Sequence, residues 1–203
     1  MRGWRRSCGR FVVAALAIIV LLGFAPPLPA SDQTRPPSPP KDVTYSKDRH
    51  YYSSPWYEGA WQEMVPFGCT KAPYYPLDAT CPRSKPGRHH GIDMFMTCGT
   101  KLRSAVAGLV VRSPGLGPAY GNYGLTIRSG RFDYVIGHAR RLYVKPGQRV
   151  RSGQLIARSG KLAAPDGCHL HFEKRPAGGG YTAAVNPLGS LRRRVVRFSG
   201  QTG

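Results

Sequence analysis

The sequence predicts an all-β fold, a compact antiparallel β-sheet or β-sandwich, for the second half of the chain. From about residue 88 onward, short runs rich in Val, Ile, Leu and Tyr are separated by glycine-containing turn signals about every eight to twelve residues. No apolar period of about 3.6 residues, the mark of an amphipathic helix, is found there. In the stretch DGCHLHFEK, Leu170 and Phe172 alternate with His169 and His171. This alternation predicts a strand whose apolar residues face a core and whose histidines share the other face.

The first thirty residues have the layout of a secretory signal peptide. Arginines precede an uncharged apolar run, residues 11–25, and PPLPA then ends at the small residue Ala30. The alternative is an uncleaved membrane anchor. The apolar run is shorter than the roughly 20 residues that a membrane-spanning helix needs, and Pro26 and Pro27 interrupt any extension. We therefore expect residues 1–30 to be removed and the protein to be secreted, with membrane contact only if this segment is retained.

Two segments in front of the β region differ from it in composition and predict an N-terminal extension. Residues 31–50 are polar and rich in proline, which predicts a linker. Residues 51–86 mix aromatic residues with prolines, which predicts a loop region held by a disulfide rather than a regular helix or a long strand. The folded domain with a basic C-terminal tail is then expected over residues 87–203. The loop region is expected to lie against the core, and some of four aromatic side chains are expected to reach a substrate groove: Trp56, Trp61, Tyr74 and Tyr75.

The cysteine content predicts two disulfides. Removal of the first thirty residues leaves four cysteines, and an even number in an oxidising compartment indicates disulfide pairing. Three pairings are possible. The favoured one joins Cys69 to Cys81 in a local loop and Cys98 to Cys168, which would brace the strand that contains HLH. No C-x-x-C spacing supports a zinc–thiolate cluster.

The charge predicts an anionic partner. Thirty Lys and Arg against ten Asp and Glu give a net charge of +20, and loss of the four N-terminal arginines leaves +16 (20 − 4). An exported protein meets anionic cell-wall polymers first, so these are the expected partner and nucleic acid is not. The densest basic stretch, residues 191–198 (LRRRVVRF), is either a binding site or a solvated tail. The protein is expected to be a monomer.

The histidines are concentrated where a metal site could form. Five of the six fall in three short β-type segments: His89 and His90, His138, and His169 and His171. A catalytic zinc site takes three protein ligands and keeps one position open. Because His89 and Asp93 are four residues apart, both lie on one side of an extended segment, and a histidine of HLH would complete the set. There is no H-E-x-x-H motif, which excludes the helix-borne metallopeptidase site.

The order of these motifs resembles that of the lysostaphin/LytM-type zinc endopeptidases, which cut peptidoglycan cross-bridges. The resemblance covers roughly residues 87–190 and includes H-x-x-x-D, Y-x-x-x-H, paired Gly-Gln turns and H-x-H. It implies that one Zn²⁺ ion per chain is held by three residues: His89, Asp93 and His171. It also implies a catalytic pair, His138 and His169, and which of the two is the general base stays open. The GKLAAPDGC loop departs from the hydroxyl-rich loop of many relatives, and no tyrosine aligns with the groove position that some of them use.

The resemblance also predicts the surroundings of the ligands. His89 or His171 is expected to donate its free ring N–H to a carboxylate or a carbonyl. Glu173 is one candidate acceptor, although a solvent-facing position on its strand is the simpler expectation. His90 is interpreted as a bystander on the opposite face from its neighbour.

The function that these features predict is a secreted, cell-wall-associated zinc endopeptidase that cleaves peptide cross-links of bacterial peptidoglycan with metal-activated water. One alternative is a non-catalytic relative that activates or scaffolds another cell-wall hydrolase. Such relatives typically lose ligands, whereas this chain keeps all five positions. The other alternative is a basic polyanion-binding module whose histidines are incidental.

Overall fold

Antiparallel strands make up most of the regular structure, as the sequence predicts. The computed structural model describes residues 35–112 and 116–199, so the predicted signal peptide lies outside the described residues. In these two ranges, one α-helix of four residues, α1 (Leu188–Leu191), is present, and no helix is long and apolar enough to cross a membrane. Three 3₁₀ turns lie at Lys41–Val43, Pro118–Tyr120 and Tyr181–Ala183. The strands are β1 (Tyr51–Ser54), β2 (Tyr57–Val65), β3 (Gly68–Thr70), β4 (Gly87–His89), β5 (Ile92–Phe95), β6 (Lys101–Arg103), β7 (Gly108–Val111), β8 (Leu125–Ser129), β9 (Phe132–Gly137), β10 (Arg141–Leu142), β11 (Arg149–Val150), β12 (Leu155–Arg158), β13 (His169–Pro176) and β14 (Arg194–Val196).

Strand β13 lies in the middle of a large antiparallel sheet. The sheet has the order β10-β12-β6-β2-β5-β13-β9-β8-β7-β11, with β1 and β14 attached through β2, while β3 and β4 form a separate hairpin. On one side of β13, His171 is opposite Asp93 of β5. On the other side, the same histidine is opposite Gly137 of β9. Strand β13 therefore lies between β5, which follows His89 after a turn, and β9, which directly precedes His138. This pairing brings the three histidine-bearing segments together.

The alternation predicted for the HLH strand is present. Leu170 and Phe172 are buried in the main apolar core. The ring of Trp56 lies 4.8 Å from that of Phe172 and 5.3 Å from that of Tyr134, measured between centroids. These large side chains fill one face of the sheet, so the histidines of β13 are directed to its other face.

The prediction of a loop region over residues 51–86 is wrong for its first part. Residues in that part form β1 and β2, and β2 pairs with β5 and β6 inside the sheet. The prolines do not prevent this, because Pro55 lies in the turn between the two strands and Pro66 follows the end of β2, where no ladder hydrogen bond is lost. Residues 71–86 are irregular, as predicted.

The aromatic residues of this region divide between the core and the cleft. Trp56 and Trp61 are buried in the main core, so they are not among the aromatic residues that reach the cleft. Tyr74 and Tyr75, on the irregular segment, do line a cleft. The strands bury the tryptophans, whereas the loop is free to turn its tyrosines toward the histidines.

Both predicted disulfides are present. Cys69 pairs with Cys81, with Cα atoms 5.5 Å apart, and this bond closes the irregular segment onto β3. Cys98 pairs with Cys168, with Cα atoms 5.2 Å apart. The second bond ties the residue just before β13 to the chain after β5, which is the bracing that the sequence predicts.

The predicted linker packs against β2 where the structure describes it. The backbone N–H groups of Tyr45 and Ser46 both donate to the carbonyl oxygen of Met64, at 2.9 Å. The Ser46 hydroxyl is buried and donates to Glu63 Oε1 at 2.7 Å. The segment has almost no regular structure, as predicted, yet these contacts hold part of it on the folded domain.

The basic C-terminal segment, residues 191–198, is partly built into the fold and partly exposed. Arg194–Val196 form β14, which pairs with β1, so the interpretation as a solvated tail is wrong there. Arg193 lies over the ring of Tyr52 at 4.0 Å and its Nη1 donates to Glu63 Oε2 at 2.6 Å. Arg193 therefore stabilises the folded domain through these contacts. The other three arginines of the segment are exposed: Arg192, Arg194 and Arg197.

We predict that Trp56→Ala lowers the free energy of unfolding by about 3–5 kcal/mol, because it removes a large side chain from the centre of the core. Urea denaturation followed by far-ultraviolet circular dichroism would measure the change. Tyr123→Ala is the control, since that ring is 44% exposed and its removal is expected to have little effect. Equal unfolding free energies for Trp56→Ala and the parent would show that residues 51–65 are a detachable extension.

Candidate metal centre

A tight turn brings His89 and Asp93 beside the HLH strand. His89 ends β4 and Asp93 lies in β5, with Gly91 in the turn between them. A Cβ atom on Gly91 would lie 2.7 Å from His171 Cε1 and 2.8 Å from the Phe172 carbonyl oxygen. Only glycine allows the turn to approach the β13 backbone this closely, so the turn residue itself permits the histidines to meet.

His89, Asp93 and His171 direct one atom each to a common point. His171 Nδ1 lies 2.9 Å from Asp93 Oδ1 and 3.1 Å from His89 Nε2. The third side of the triangle, from His89 Nε2 to Asp93 Oδ1, is 3.4 Å. All three residues are buried. Tetrahedral ligands at about 2.0–2.2 Å from a zinc ion are about 3.3–3.6 Å apart, so two imidazoles and a carboxylate at this spacing fit zinc with slight expansion.

The two histidines of the triangle, His89 and His171, are held from behind by groups that can only accept hydrogen bonds. His89 Nδ1 donates to the carbonyl oxygen of Pro66 at 3.0 Å, which leaves its Nε2 free to bind. His171 Nε2 donates to Glu173 Oε1 at 2.8 Å. The expectation of such an outer acceptor is confirmed for both histidines, and this contact orients a ligand and fixes its tautomer.

Glu173 is 1% exposed, so its predicted solvent-facing position is wrong. The reason is that β13 is a central strand covered on both faces. Arg175 Nε donates to Glu173 Oε2 at 2.5 Å, and the Tyr120 hydroxyl donates to Oε1 at 2.6 Å. Arg175 Nη2 in turn donates to the Tyr120 hydroxyl at 2.7 Å. The buried carboxylate is thus compensated by one cation and two further donors, His171 and Tyr120.

The contacts within the site shift the pKa values of Glu173, His171 and Asp93. Burial alone would raise the pKa of Glu173, but the hydrogen bond from His171, its charge and the contacts of Arg175 outweigh burial and lower it to about 2. Burial would lower the pKa of His171, but its hydrogen bonds to Asp93 and Glu173 and their charges raise it to about 10. Burial likewise opposes ionisation of Asp93, whose pKa is nevertheless well below its usual value because of His89 and His169. The site therefore strongly favours a positive charge at its centre.

Two tyrosines contact the buried carboxylates of the site; the sequence predicts a groove position for Tyr75 without this contact and makes no prediction for Tyr120. Tyr75 donates from its hydroxyl to Asp93 Oδ2 at 2.5 Å, and its ring lies 4.4 Å from that of His89. Burial and the charge of Asp93 raise the pKa of Tyr75, which keeps the hydroxyl a donor. Tyr120, described above, is the second. Neither could be identified from spacing, because each comes from an irregular segment whose path the sequence does not specify.

The predicted catalytic pair lies beside the triangle. His138 follows β9 in the left-handed conformation, with φ 58°, and its Nδ1 donates to the Leu162 carbonyl oxygen at 2.8 Å. Its ring centroid is 4.6 Å from that of His169 and 5.6 Å from that of His171. Burial and the neighbouring charges of His169 and His171 lower the pKa of His138 to about 3. Its ring is therefore neutral near pH 7.

His169 is positioned in the same way. Its Nδ1 donates to the Gly167 carbonyl oxygen at 3.0 Å, and its Nε2 is 3.6 Å from Asp93 Oδ1. All five residues named from the sequence thus converge. His90 lies at the edge of the same cleft, with its ring 4.8 Å from that of Tyr181, and is not part of the ligand triangle.

The cleft above these residues has a volume of about 370 Å³. The irregular segment with Tyr74 and Tyr75 forms one wall, and the turn at Tyr120 and the loop before β13 form the other. Among the described residues, its lining includes no lysine or arginine. The large positive charge of the chain is therefore located outside the place where chemistry could occur.

A comparison with known protein families matches the part of the chain that contains these residues. Residues 87–187 match peptidase family M23. This range contains every residue of the ligand triangle and both neighbouring histidines. The match excludes β1, β2 and the whole irregular segment with Tyr74 and Tyr75, residues 71–86.

Two curated relatives are endopeptidases of staphylococci. The chain is 32% identical over 107 residues to the glycyl-glycine endopeptidase ALE-1 of Staphylococcus capitis, which covers 52% of this chain and 30% of that protein. It is 30% identical over 117 residues to lysostaphin of Staphylococcus simulans, covering 57% of this chain and 24% of that protein. The chain therefore spans less than a third of the length of these relatives.

A solved structure shares the fold. The catalytic domain of lysostaphin from Staphylococcus simulans matches with a TM-score of 0.53 and 25% identity, covering 65% of this chain and 92% of that domain. The mainly antiparallel β-fold, predicted from alternation and turns, is thus also the fold of a known peptidase domain.

We predict that acid destabilises the metal-free protein through Glu173. Its pKa in the folded chain is below its unfolded value, so its contribution to stability is complete above about pH 4.5 and is lost as the pH falls toward about 2. Between pH 6 and pH 2, the parent should lose up to about 3 kcal/mol more unfolding free energy than Glu173→Gln. Urea denaturation across this pH range measures both. The exposed Glu58→Gln is the control, and equal slopes for the parent and Glu173→Gln would contradict the prediction.

Proposed function

Because residues 87–187 belong to peptidase family M23, we propose that the protein is a zinc-dependent endopeptidase that cleaves peptide cross-links of bacterial peptidoglycan. The observation that carries this proposal is the triangle of His89, Asp93 and His171 with two further histidines beside it. A merely structural cluster would not need five such residues on one side of a cleft.

The proposed zinc ligands are His89 Nε2, Asp93 Oδ1 and His171 Nδ1. Three ligands from the protein leave a position for water or substrate, which is the composition of a catalytic rather than a structural zinc site. When bound there, zinc supplies Lewis-acid chemistry toward a peptide carbonyl and makes water a nucleophile near neutral pH. The buried carboxylates Asp93 and Glu173 favour positive charge at the same point, which supports this assignment.

The proposed catalytic residues are His138 and His169. In both, Nδ1 donates to a backbone carbonyl, so Nε2 carries a lone pair that can accept the proton of an attacking water. After protonation, the same nitrogen can donate to the amine that leaves. The hydroxyls of Tyr75 and Tyr120 lie at the edges of the ligand set and can orient water or a peptide oxygen.

The proposed substrate is a peptide of the cell wall. ALE-1 and lysostaphin, which are similar to this chain over the domain, are named as peptidases, and ALE-1 as one that acts on glycyl-glycine bonds. The cleft walls are mainly aromatic and aliphatic, which suits short, uncharged peptide segments. The bond that is cut is the subject of the second experiment below.

The proposed location is outside the cell, at the wall. The signal-peptide pattern of residues 1–30 and the two disulfides support export to an oxidising compartment. The net charge of +20 supports retention by anionic wall polymers. Since the cleft lining includes no lysine or arginine among the described residues, this attraction would act through other surfaces and leave the cleft open.

We predict that His89→Ala and Asp93→Ala abolish retention of zinc, because each removes one of three ligands. His138→Ala should keep one zinc ion per chain and lose turnover, since it lies beside the ligands and not among them. Zinc content after dialysis, measured by mass spectrometry of the metal, and lysis of purified walls would separate the two effects. His50→Ala, an exposed histidine far from the cleft in sequence, is the control. Lysis by His138→Ala at the parent rate would contradict the catalytic assignment.

We also predict that the zinc-loaded protein releases peptide fragments from purified walls and that a chelator stops the release. Mass analysis of the fragments should find new peptide amino termini and intact glycan chains, and a panel of walls with glycine bridges or direct D-amino-acid cross-links would identify the bond. Release of glycan fragments alone would show a different hydrolase. Retention of zinc without any release would favour a non-catalytic partner of another hydrolase.

A further inference from the structure

Asp166 is a buried carboxylate with no role in the site described so far. It lies in the loop before β13, and its side chain is 2% exposed. The Tyr74 hydroxyl donates to its Oδ2 at 2.9 Å. Its other oxygen, Oδ1, is buried without a hydrogen-bond partner. A buried carboxylate oxygen left in this state is costly unless a nearby group makes use of its charge.

The nearest such group is His169. Asp166 Oδ1 lies 3.5 Å from His169 Nδ1, the nitrogen that donates to the Gly167 carbonyl oxygen. In the described part of the chain, two buried side-chain atoms lack a hydrogen-bond partner, and the second is His169 Nε2. Asp166 Oδ1 is next to the Nδ1 side of the His169 ring, whereas the unpartnered Nε2 is on the other side of that ring. The carboxylate is therefore behind the imidazole, and the free nitrogen is directed to Asp93 and the cleft.

We propose that Asp166 is a positioning residue: its carboxylate lies behind the His169 ring, whose Nδ1–H the Gly167 carbonyl already fixes, and makes His169, rather than His138, the acceptor of the proton from water. This inference rests on the proposed function. The proton passes from the water oxygen to Nε2, and Nδ1 keeps its own proton between Gly167 O and Asp166 Oδ1. The ring then carries a positive charge that faces the carboxylate, as in a histidine–aspartate pair of a hydrolase.

His138 lacks this support. The group behind its ring is the carbonyl of Leu162, at 2.8 Å from Nδ1, which is neutral. A carbonyl fixes the tautomer but offers much less stabilisation to a protonated ring than a carboxylate does. The two histidines therefore look alike from the cleft and differ in what lies behind them.

Both disulfides support the contact between Tyr74 and Asp166. Cys168 is two residues after Asp166 and is tied to Cys98, while Tyr74 lies in the segment closed by Cys69 and Cys81. Gly167, at φ 97°, allows the chain to turn between the carboxylate and the cysteine. One disulfide thus constrains each of the two segments whose side chains meet in the hydrogen bond from Tyr74 to Asp166, and this limits the movement of the carboxylate behind the ring.

The kinetic test uses the zinc-loaded full chain and Asp166→Asn. We expect kcat to fall by about 10- to 100-fold, the usual cost of removing an outer partner of a site histidine, with KM and one zinc ion per chain unchanged. Asp133→Asn is the control, because it alters a buried carboxylate that pairs with Arg128 outside the cleft. A parent-like kcat for Asp166→Asn would overturn the proposal.

A double-mutant cycle identifies the histidine through which Asp166 acts. Both single alanine variants are expected to keep only a small residual kcat, and the cycle compares these residual rates. In a His169→Ala background, Asp166→Asn should cause no further loss of the residual kcat, whereas in a His138→Ala background it should lower the residual kcat by the same factor as in the parent. The reverse pattern would overturn the assignment. So would two zinc ions per parent chain falling to one in Asp166→Asn, because Asp93, Asp166 and His169 would then be ligands of a second ion.

A spectroscopic readout separates this proposal from the function on which it rests. In the ¹H–¹⁵N spectrum of the zinc-loaded protein, the Nδ1–H proton of His169 should resonate at low field, and Asp166→Asn should shift it to higher field. An unchanged resonance would overturn the contact even in an active enzyme. Failure of the parent to cleave walls would instead refute the proposed function, and the spectrum would still decide whether Asp166 holds His169.

Discussion

The pairing of β13 with β5 is the constraint on which the whole site depends. It sets His171 opposite Asp93, and the Gly91 turn then returns His89 to the same point. A slip of one residue would turn each side chain of β13 to the other face. Phe172 would leave the core and the histidines would enter it. The packing of the apolar core therefore also fixes the geometry of the proposed ligands.

Three buried carboxylates, each contacted by a tyrosine hydroxyl, lie beside the histidines of the site. Asp93, Glu173 and Asp166 are all buried, and each is contacted by a tyrosine hydroxyl: Tyr75, Tyr120 and Tyr74 respectively. These tyrosines come from irregular segments on the two walls of the cleft. Glu173 is also compensated by Arg175, whose Nε donates to the carboxylate that accepts from His171. The walls of the cleft thus do more than enclose a substrate, because they fix the carboxylates that orient the histidines.

Much of this arrangement could be predicted from the sequence, and the rest depends on contacts that the sequence does not specify. Strict alternation in HLH identified the strand and its two faces, and the spacing of His89 and Asp93 identified one side of the site. The strands β1 and β2 were missed because their prolines lie at strand ends, which composition alone cannot show. Glu173 was expected to face solvent, since the sequence does not reveal that β13 is central. Tyr75 and Tyr120 reach the site from irregular segments, where no periodicity predicts direction.

Zinc-edge anomalous diffraction from crystals of the zinc-loaded protein is the measurement that tests the central claim most directly. The account predicts one anomalous peak per chain, within bonding distance of His89 Nε2, Asp93 Oδ1 and His171 Nδ1, with His138 and His169 beside it and not bonded to it. The absence of an anomalous peak, or a peak within bonding distance of His138 or His169 instead of the three proposed ligands, would contradict the account.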